Sequence, residues 1–226
     1  MIRAIIFDLD GTLVDTEPLH FKAFSEVLAA EGIELSREHY FQDLIGYNDR
    51  ECFSVALREH HRAAAPALLD ALIARKAALY MEMIRGEDLY YPAAQEFVRQ
   101  CARRFALVLA TGTLRAEAEI ILRQAGLRDL FSDVISAEDF QRSKPAPDAF
   151  ATALRHLRRR NFQPPIQARE CLVIEDTAAG VEGARAAGMP VLAITHTAPP
   201  AALSAADLVR PSLAETDLEE VLRLIG

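Results

Sequence analysis

The 226-residue chain has no tryptophan, only three cysteines, and few glycines and prolines, 10 and 11 respectively. So little chain-breaking sequence beside a hydrophobic share of 51% excludes a disordered polymer and requires a packed globular core. Cys52, Cys101 and Cys171 are odd in number, far apart and without C-x-x-C spacing. That excludes a disulfide framework and suits small buried thiols in a reducing compartment, so a cytoplasmic location is expected. No apolar run is long enough to span a bilayer, and Asp8 cuts the apolar start short, so neither a membrane span nor a signal peptide is expected. Positive charge is also scarce: 25 Lys and Arg face 33 Asp and Glu, a net charge of −8. This balance argues against a nucleic-acid partner, and any anionic ligand must be drawn in by local positive charge against the overall field. The length suits one domain, or one domain carrying an insertion.

What is present is concentrated first in the opening dozen residues. Arg3-Ala4-Ile5-Ile6-Phe7 is an apolar run without alternation, the pattern of a strand buried on both faces. It stops at Asp8-Leu9-Asp10-Gly11-Thr12. Two carboxylates two residues apart share one side of an extended chain, and Gly11 lets the backbone turn. Such a pair is costly to hold ionised in a partly buried site unless a divalent cation accompanies it, and carboxylate oxygens suit Mg²⁺. A solvated Asp-Gly turn is the plainer alternative for these residues alone.

The segment 16–86 holds no convincing strand. The pattern predicts helices over 16–31 (capped by Thr16, ended by Gly32), over 36–44 (ended by Gly46), from an Asn48–Glu51 capping box to about His61, and over 66–85 (closed by Gly86). From 93 onward helix and strand alternate. Strands are predicted at 105–110, 134–136, 171–174, 191–194 and 208–209. Helices are predicted over 93–103, 114–125, 147–158, 178–187 and 214–225. Alternation of this kind means a parallel sheet with helices on both faces, and ligands on such sheets bind beyond the carboxyl ends of the strands. Asp8 and Asp10 follow the first strand, Thr111-Gly112-Thr113 the second and Glu175-Asp176 the fourth, while Lys144 lies in the loop beyond the third. Thr111 offers a hydroxyl, Gly112 and Thr113 offer backbone N–H groups at a helix start, and Lys144 a full positive charge, together enough to neutralise a phosphoryl group. The plainer alternatives are N-capping by Thr111 or Thr113 and a solvated loop lysine, although the flanking Pro145 and Pro147 stiffen that loop.

Asp8-Leu9-Asp10-Gly11-Thr12-Leu13 resembles the first motif of the haloacid dehalogenase-like superfamily. Thr111-Gly112 resembles the second, Ser143-Lys144-Pro145-Ala146-Pro147-Asp148 the third and Glu175-Asp176 the fourth. The resemblance covers nearly the whole chain and is closest to the sugar-phosphate phosphatase and β-phosphoglucomutase branch. It implies an α/β fold, with a Rossmann-like parallel-sheet core (1–15 plus 88–226) and a small inserted α-helical cap (16–87). It also implies a Mg²⁺-dependent phosphatase acting on a small phosphorylated metabolite, a sugar phosphate, through an aspartyl-phosphate. Asp8 would be the nucleophile and Asp10 the acid and base; Thr111, Gly112 and Lys144 would bind phosphate. Asp8, the Asp10 main-chain carbonyl, Glu175 (directly or through water) and Asp176 would hold the metal. In the cap, His20 and Lys76 resemble substrate-contacting residues of that branch, and Arg50 stands one residue late relative to an arginine there. A monomer is expected.

The runner-up is a phosphohexomutase, weakened because Leu114-Arg115 replace a longer polar string with a lysine. A true dehalogenase lacks an acid at the position of Asp10, and a phospho-receiver domain would carry no insertion such as 16–86. The basic run Arg155–Arg160 lacks interleaved aromatics and fits a helix end. His60-His61 has no companion ligands for zinc. Tyr90-Tyr91 is read as packing, and Pro92-Ala93 stands where the family often has Pro-Gly.

Overall fold

The computed structural model describes residues 1–44, 47, 49–160 and 162–225. Two compact units are formed, Met1–Asp15 with Leu89–Gly226 and Thr16–Asp88. In chain order the elements are β1 (Ala4–Phe7), α1 (Glu17–Ala29), α2 (Arg37–His39), α3 (Asp49–Glu59), α4 (Pro66–Met83), α5 (Ala94–Ala102) and β2 (Ala106–Ala110). There follow α6 (Arg115–Gln124), β3 (Phe131–Ile135), α7 (Asp148–Arg158), β4 (Cys171–Glu175), α8 (Ala178–Ala186), β5 (Val191–Ile194), β6 (Leu208–Arg210) and α9 (Leu218–Ile225).

The first unit is a parallel six-stranded sheet in the order β3-β2-β1-β4-β5-β6. Side chains alternate faces along each strand. Ile5, Phe7, Leu107, Leu109 and Ile174 therefore pack with Phe97, Ile121 and Val221 of α5, α6 and α9. Ala4, Ile6, Val108 and Val173 pack with Phe150, Leu157, Val181 and Ala184 of α7 and α8. Both faces are covered, which is why the strands read as unbroken apolar runs. β1 lies at the centre, where the winding reverses between β2 and β4, the place where doubly wound sheets bind ligands. Phe7 is level with Leu109 and with Ile174, so the residues after all three strands emerge side by side.

β3 is longer than the sequence suggests. Ser132 and Asp133 interrupt its apolar pattern because it is the edge strand, paired on one side only, with a register shift at Leu107/Val108. The last helix starts four residues later than expected, after a 3₁₀ turn at Leu213–Glu215, because the Asp217 carboxylate caps it by accepting the Glu219 N–H at 2.8 Å.

The second unit packs α1, α3 and α4 around Phe24, Leu28, Tyr40, Phe53, Leu57 and Leu72. Thr16 makes no side-chain cap on α1, contrary to expectation; Pro18 in the first turn sets its entry instead. Ser36 caps as a helix start should, but the segment divides into α2 and a π-helical stretch, Tyr40–Leu44. Gly46 and Asn48, to which a helix stop and a capping box were assigned, lie outside the described residues. Gly86 does not take the left-handed conformation of a helix terminator, whereas Gly32, Gly126 and Gly188 do, with φ of +74°, +63° and +76°. Among the described residues no helix is long and apolar enough to cross a membrane.

Candidate active site

Asp8 follows β1 directly, and its N–H still bonds the Ile174 carbonyl at 3.0 Å. That extra rung sets Asp8 beside the end of β4, where Glu175 and Asp176 stand. Oxygens of the three carboxylates all lie within 4.8 Å of one another, and all three residues are buried. Lys144 reaches in from the loop before α7, with Nζ 2.5 Å from Asp8 Oδ1 and paired also with Glu175 Oε1. Asp8, Lys144, Glu175 and Asp176, which come from three separate loops in sequence, therefore form one cluster.

Glu175 is tethered on its second oxygen as well. Oε2 accepts the N–H groups of Asp176 and Thr177, both at 2.8 Å, and the Thr177 hydroxyl at 3.0 Å. Burial acts to raise the Glu175 pKa, but Lys144 and these backbone donors outweigh it and hold the carboxyl below its ordinary range. Lys144 is raised by its two carboxylate partners in spite of burial and stays a cation. Burial drives Asp8 the other way, well above the usual carboxylate range, with Lys144 opposing and Glu175 and Asp176 adding to the rise. Asp176 is pushed up to about 6 by burial and by Glu175, with the Thr197 and Thr12 hydroxyls opposing. Thr12 donates to Asp176 Oδ1 at 2.9 Å, whereas buried Oδ2 accepts no hydrogen bond of good geometry among the described residues.

Three carboxylates against one ammonium leave an uncompensated negative charge in a buried site, together with an orphaned carboxylate oxygen. An all-oxygen donor set of this kind fits a hard divalent cation, which would hold Asp8 and Asp176 ionised. Gly11 packs tightly here: at φ +77°, an added Cβ would lie 2.0 Å from Asp176 Oδ2.

Asp10, two residues after Asp8, accepts a hydrogen bond from the Thr113 hydroxyl. Thr111 is buried, donates its hydroxyl to Thr113 Oγ1 at 2.9 Å and accepts the Thr113 N–H at 3.0 Å. Neither threonine caps α6. Leu114 occupies the cap position, and the Arg115 N–H is bound by the Glu138 carboxylate at 3.1 Å. Gly112 is exposed, with no atom within 4 Å of where its Cβ would be, so open space adjoins it.

The three helical-unit candidates do not form one group. Lys76 is only 4% exposed and donates to His20 Nδ1 and to Asp49, both at 2.8 Å. An ammonium can only donate, so His20 Nδ1 accepts and the imidazole is neutral. Burial and then the Lys76 charge lower its pKa to about 3, and its ring stacks on Tyr80 at 4.2 Å. Arg50 stands apart, half exposed and paired with Asp70. Asp49, the sequence neighbour of Arg50, pairs with Lys76.

The loop after β5 also reaches the site, although no motif in the sequence marks it. His196 Nδ1 donates to the Gly11 carbonyl at 2.9 Å under the ring of Tyr91, 3.8 Å away, and Thr197 lies against Asp176. Tyr91 is thus a packing residue, and Tyr90 donates to the Ile121 carbonyl at 3.2 Å. The only signal for His196 and Thr197 was their place after a strand, because neither belongs to a recognisable spacing. Thr12 and Thr177, by contrast, sit inside or beside the first and fourth motifs.

A family model described as haloacid dehalogenase-like hydrolase matches residues 2–188. The chain is 32% identical over 185 residues to fructose-1-phosphate phosphatase YqaB of Escherichia coli, covering 82% of this chain and 92% of that one. It is 33% identical over 204 residues to the protein CbbY of Rhodobacter capsulatus, covering 84% of each. Among solved structures, CbbY of Rhodobacter sphaeroides in complex with phosphate superposes with a TM-score of 0.78 at 27% identity, covering 95% of this chain and 96% of that one.

Proposed function

The chain belongs to the haloacid dehalogenase-like hydrolase family, and we propose that it is a Mg²⁺-dependent phosphatase releasing phosphate from a small phosphorylated metabolite, a sugar phosphate. The observation that carries this reading is the pairing of Lys144 with Asp8 inside a buried acidic cluster. A cation that grips the would-be nucleophile is also placed to grip the phosphoryl oxygens that approach it.

In this reading the Asp8 carboxylate attacks phosphorus, forming an acyl phosphate as the bond to the leaving oxygen breaks. Asp10 gives that oxygen its proton. Water then attacks phosphorus, Asp10 takes up the water's proton, and the Asp8 carboxylate is released with inorganic phosphate. Lys144, the Thr111 hydroxyl and the Gly112 N–H hold the phosphoryl oxygens. Asp8, Asp176 and the Asp10 main-chain carbonyl would hold Mg²⁺, with Glu175 acting through water because both its oxygens are already engaged. The metal, when bound, screens carboxylate from phosphate and stabilises charge as it develops.

His20, Lys76 and Arg50 are proposed to shape specificity for the substrate body. The name of the relative fructose-1-phosphate phosphatase YqaB supports the substrate class. The expected setting is a cytoplasmic monomer with no nucleic-acid partner. The alternative is a phosphohexomutase. Arg115, which would replace a mutase lysine, is tied to Asp139 and to Glu138, which favours hydrolysis.

The test is a phosphate-release screen over sugar phosphates with and without Mg²⁺, run beside β-glucose 1-phosphate with glucose 1,6-bisphosphate. Mg²⁺-dependent phosphate release is expected. Isomer formation without phosphate release would establish the mutase instead, and silence in both would overturn the sugar-phosphate reading.

A further inference from the structure

We propose that Thr113 is a positioning residue for the acid and base Asp10, and that the Thr111–Thr113 hydroxyl pair joins the general acid to the phosphate grip. The inference rests on the phosphatase reading above and adds to it a residue outside the motif assignments.

The geometry is specific. β1 and β2 are neighbours in register, so the loops that follow them face each other. Thr113 is not free to wander. Its carbonyl accepts the Ala137 N–H at 3.1 Å, its N–H donates to Thr111 Oγ1 at 3.0 Å, and Thr111 N–H is bound by the Ile135 carbonyl at 2.9 Å. The loop is thus pinned to the end of β3, and from it the Thr113 hydroxyl donates to the Asp10 carboxylate. Helix capping does not explain the residue, because Leu114 is the cap of α6 and its first free N–H goes to Glu138.

A hydroxyl suits the task. It donates to a carboxylate and accepts from a carboxylic acid, so it can hold the same side chain through both halves of a reaction that passes a proton out and back. Thr111 Oγ1 also accepts the Thr113 N–H at 3.0 Å, a contact that persists when its one hydroxyl proton turns from Thr113 to a phosphoryl oxygen, so the residue assigned to the phosphoryl oxygens also orients the one that holds the acid.

The role predicts a dependence on the leaving group. An alkyl phosphate needs its leaving oxygen protonated; p-nitrophenyl phosphate departs as a stable phenolate and needs the general acid far less. In the full-length protein with Mg²⁺, Thr113→Val keeps the shape and removes the hydroxyl. Its kcat on a sugar phosphate should fall on the order of 10²-fold, as expected for a misplaced catalytic group. Its kcat on p-nitrophenyl phosphate should fall only a fewfold, with KM little changed for either. Thr113→Ser should restore the alkyl-phosphate rate, and an unchanged melting temperature in Thr113→Val excludes a fold defect.

Equal losses on both substrates, a rise in KM without a fall in kcat, or a variant like wild type would each overturn the proposal. Wild-type protein that hydrolyses neither substrate would overturn the phosphatase reading itself and this inference with it, an outcome separable from a wild type that is active and a variant that shows no leaving-group dependence.

Discussion

Gly180 occupies the first turn of α8, where replacing glycine by alanine ordinarily stabilises a helix by roughly 1 kcal/mol. Here the opposite is expected. An added Cβ would lie 1.9 Å from both Cδ and Oε1 of Glu175 and 2.3 Å from Oε2. Ordinary contact begins at 3.4 Å, so the carboxylate must retreat by about 1.5 Å. It is not a loose side-chain end. It is held by the Asp176 and Thr177 N–H groups, the Thr177 hydroxyl and Lys144. Hydrogen bonds to a charged group are worth about 1.5–3 kcal/mol each, so losing two outweighs the helical gain and leaves a net loss of about 2–5 kcal/mol. Lys144 loses one of its two anchors in the same movement, and phosphatase turnover should drop on the order of 10²-fold. Urea denaturation of Gly180→Ala beside wild type, with a phosphate-release assay on both, measures the two effects. A variant as stable as wild type with full turnover would refute the argument that Gly180 is there to admit the Glu175 carboxylate.

Ala93 sits at φ +64°, a left-handed conformation that costs a residue with a Cβ about 1–2 kcal/mol, so Ala93→Gly should raise stability by roughly 0.5–1 kcal/mol in thermal melts after its larger unfolded-state entropy is counted; a destabilised variant would contradict this. His20 has its pKa lowered from 6.5 to about 3. Below pH 6.5 the unfolded chain therefore takes up a proton that the folded chain refuses, and stability falls as pH drops towards 3. His20 should account for about 2 kcal/mol of the loss between pH 7 and pH 5, and His20→Gln should flatten that slope in denaturant titrations at the two pH values; an unchanged slope would contradict the buried neutral imidazole. Mg²⁺ should raise the melting temperature of wild type and shift Asp176→Asn much less, because the substitution removes the orphaned carboxylate oxygen; equal shifts in both would place the metal elsewhere.

The strand ends were legible because buried parallel strands write themselves as apolar runs, and the break in each run marks the rim. Asp8, Thr111, Glu175 and Asp176 could therefore be placed together from sequence. β3 could not be bounded, since an edge strand tolerates Ser132 and Asp133 and its pattern breaks. The electrostatic detail was hidden for another reason. Thr113 meets Asp10, and His196 meets Gly11, across gaps of 103 and 185 residues, and no local spacing encodes such contacts. His20 and Lys76 show the same limit: their places relative to the motifs mark them, whereas only folding joins them with Asp49 around a nearly buried ammonium. Gly180 carried no motif signal, because its role is the absence of a side chain beside a carboxylate.

The nucleophile is tested most simply by quenching wild type and Asp8→Asn with acid during turnover of a sugar phosphate radiolabelled on phosphorus in Mg²⁺ and mapping the covalent label. The account predicts acid-stable, hydroxylamine-sensitive label on the peptide carrying Asp8 in wild type, and neither label nor turnover in a folded Asp8→Asn. Turnover retained by the variant, or label on any other residue, would contradict it.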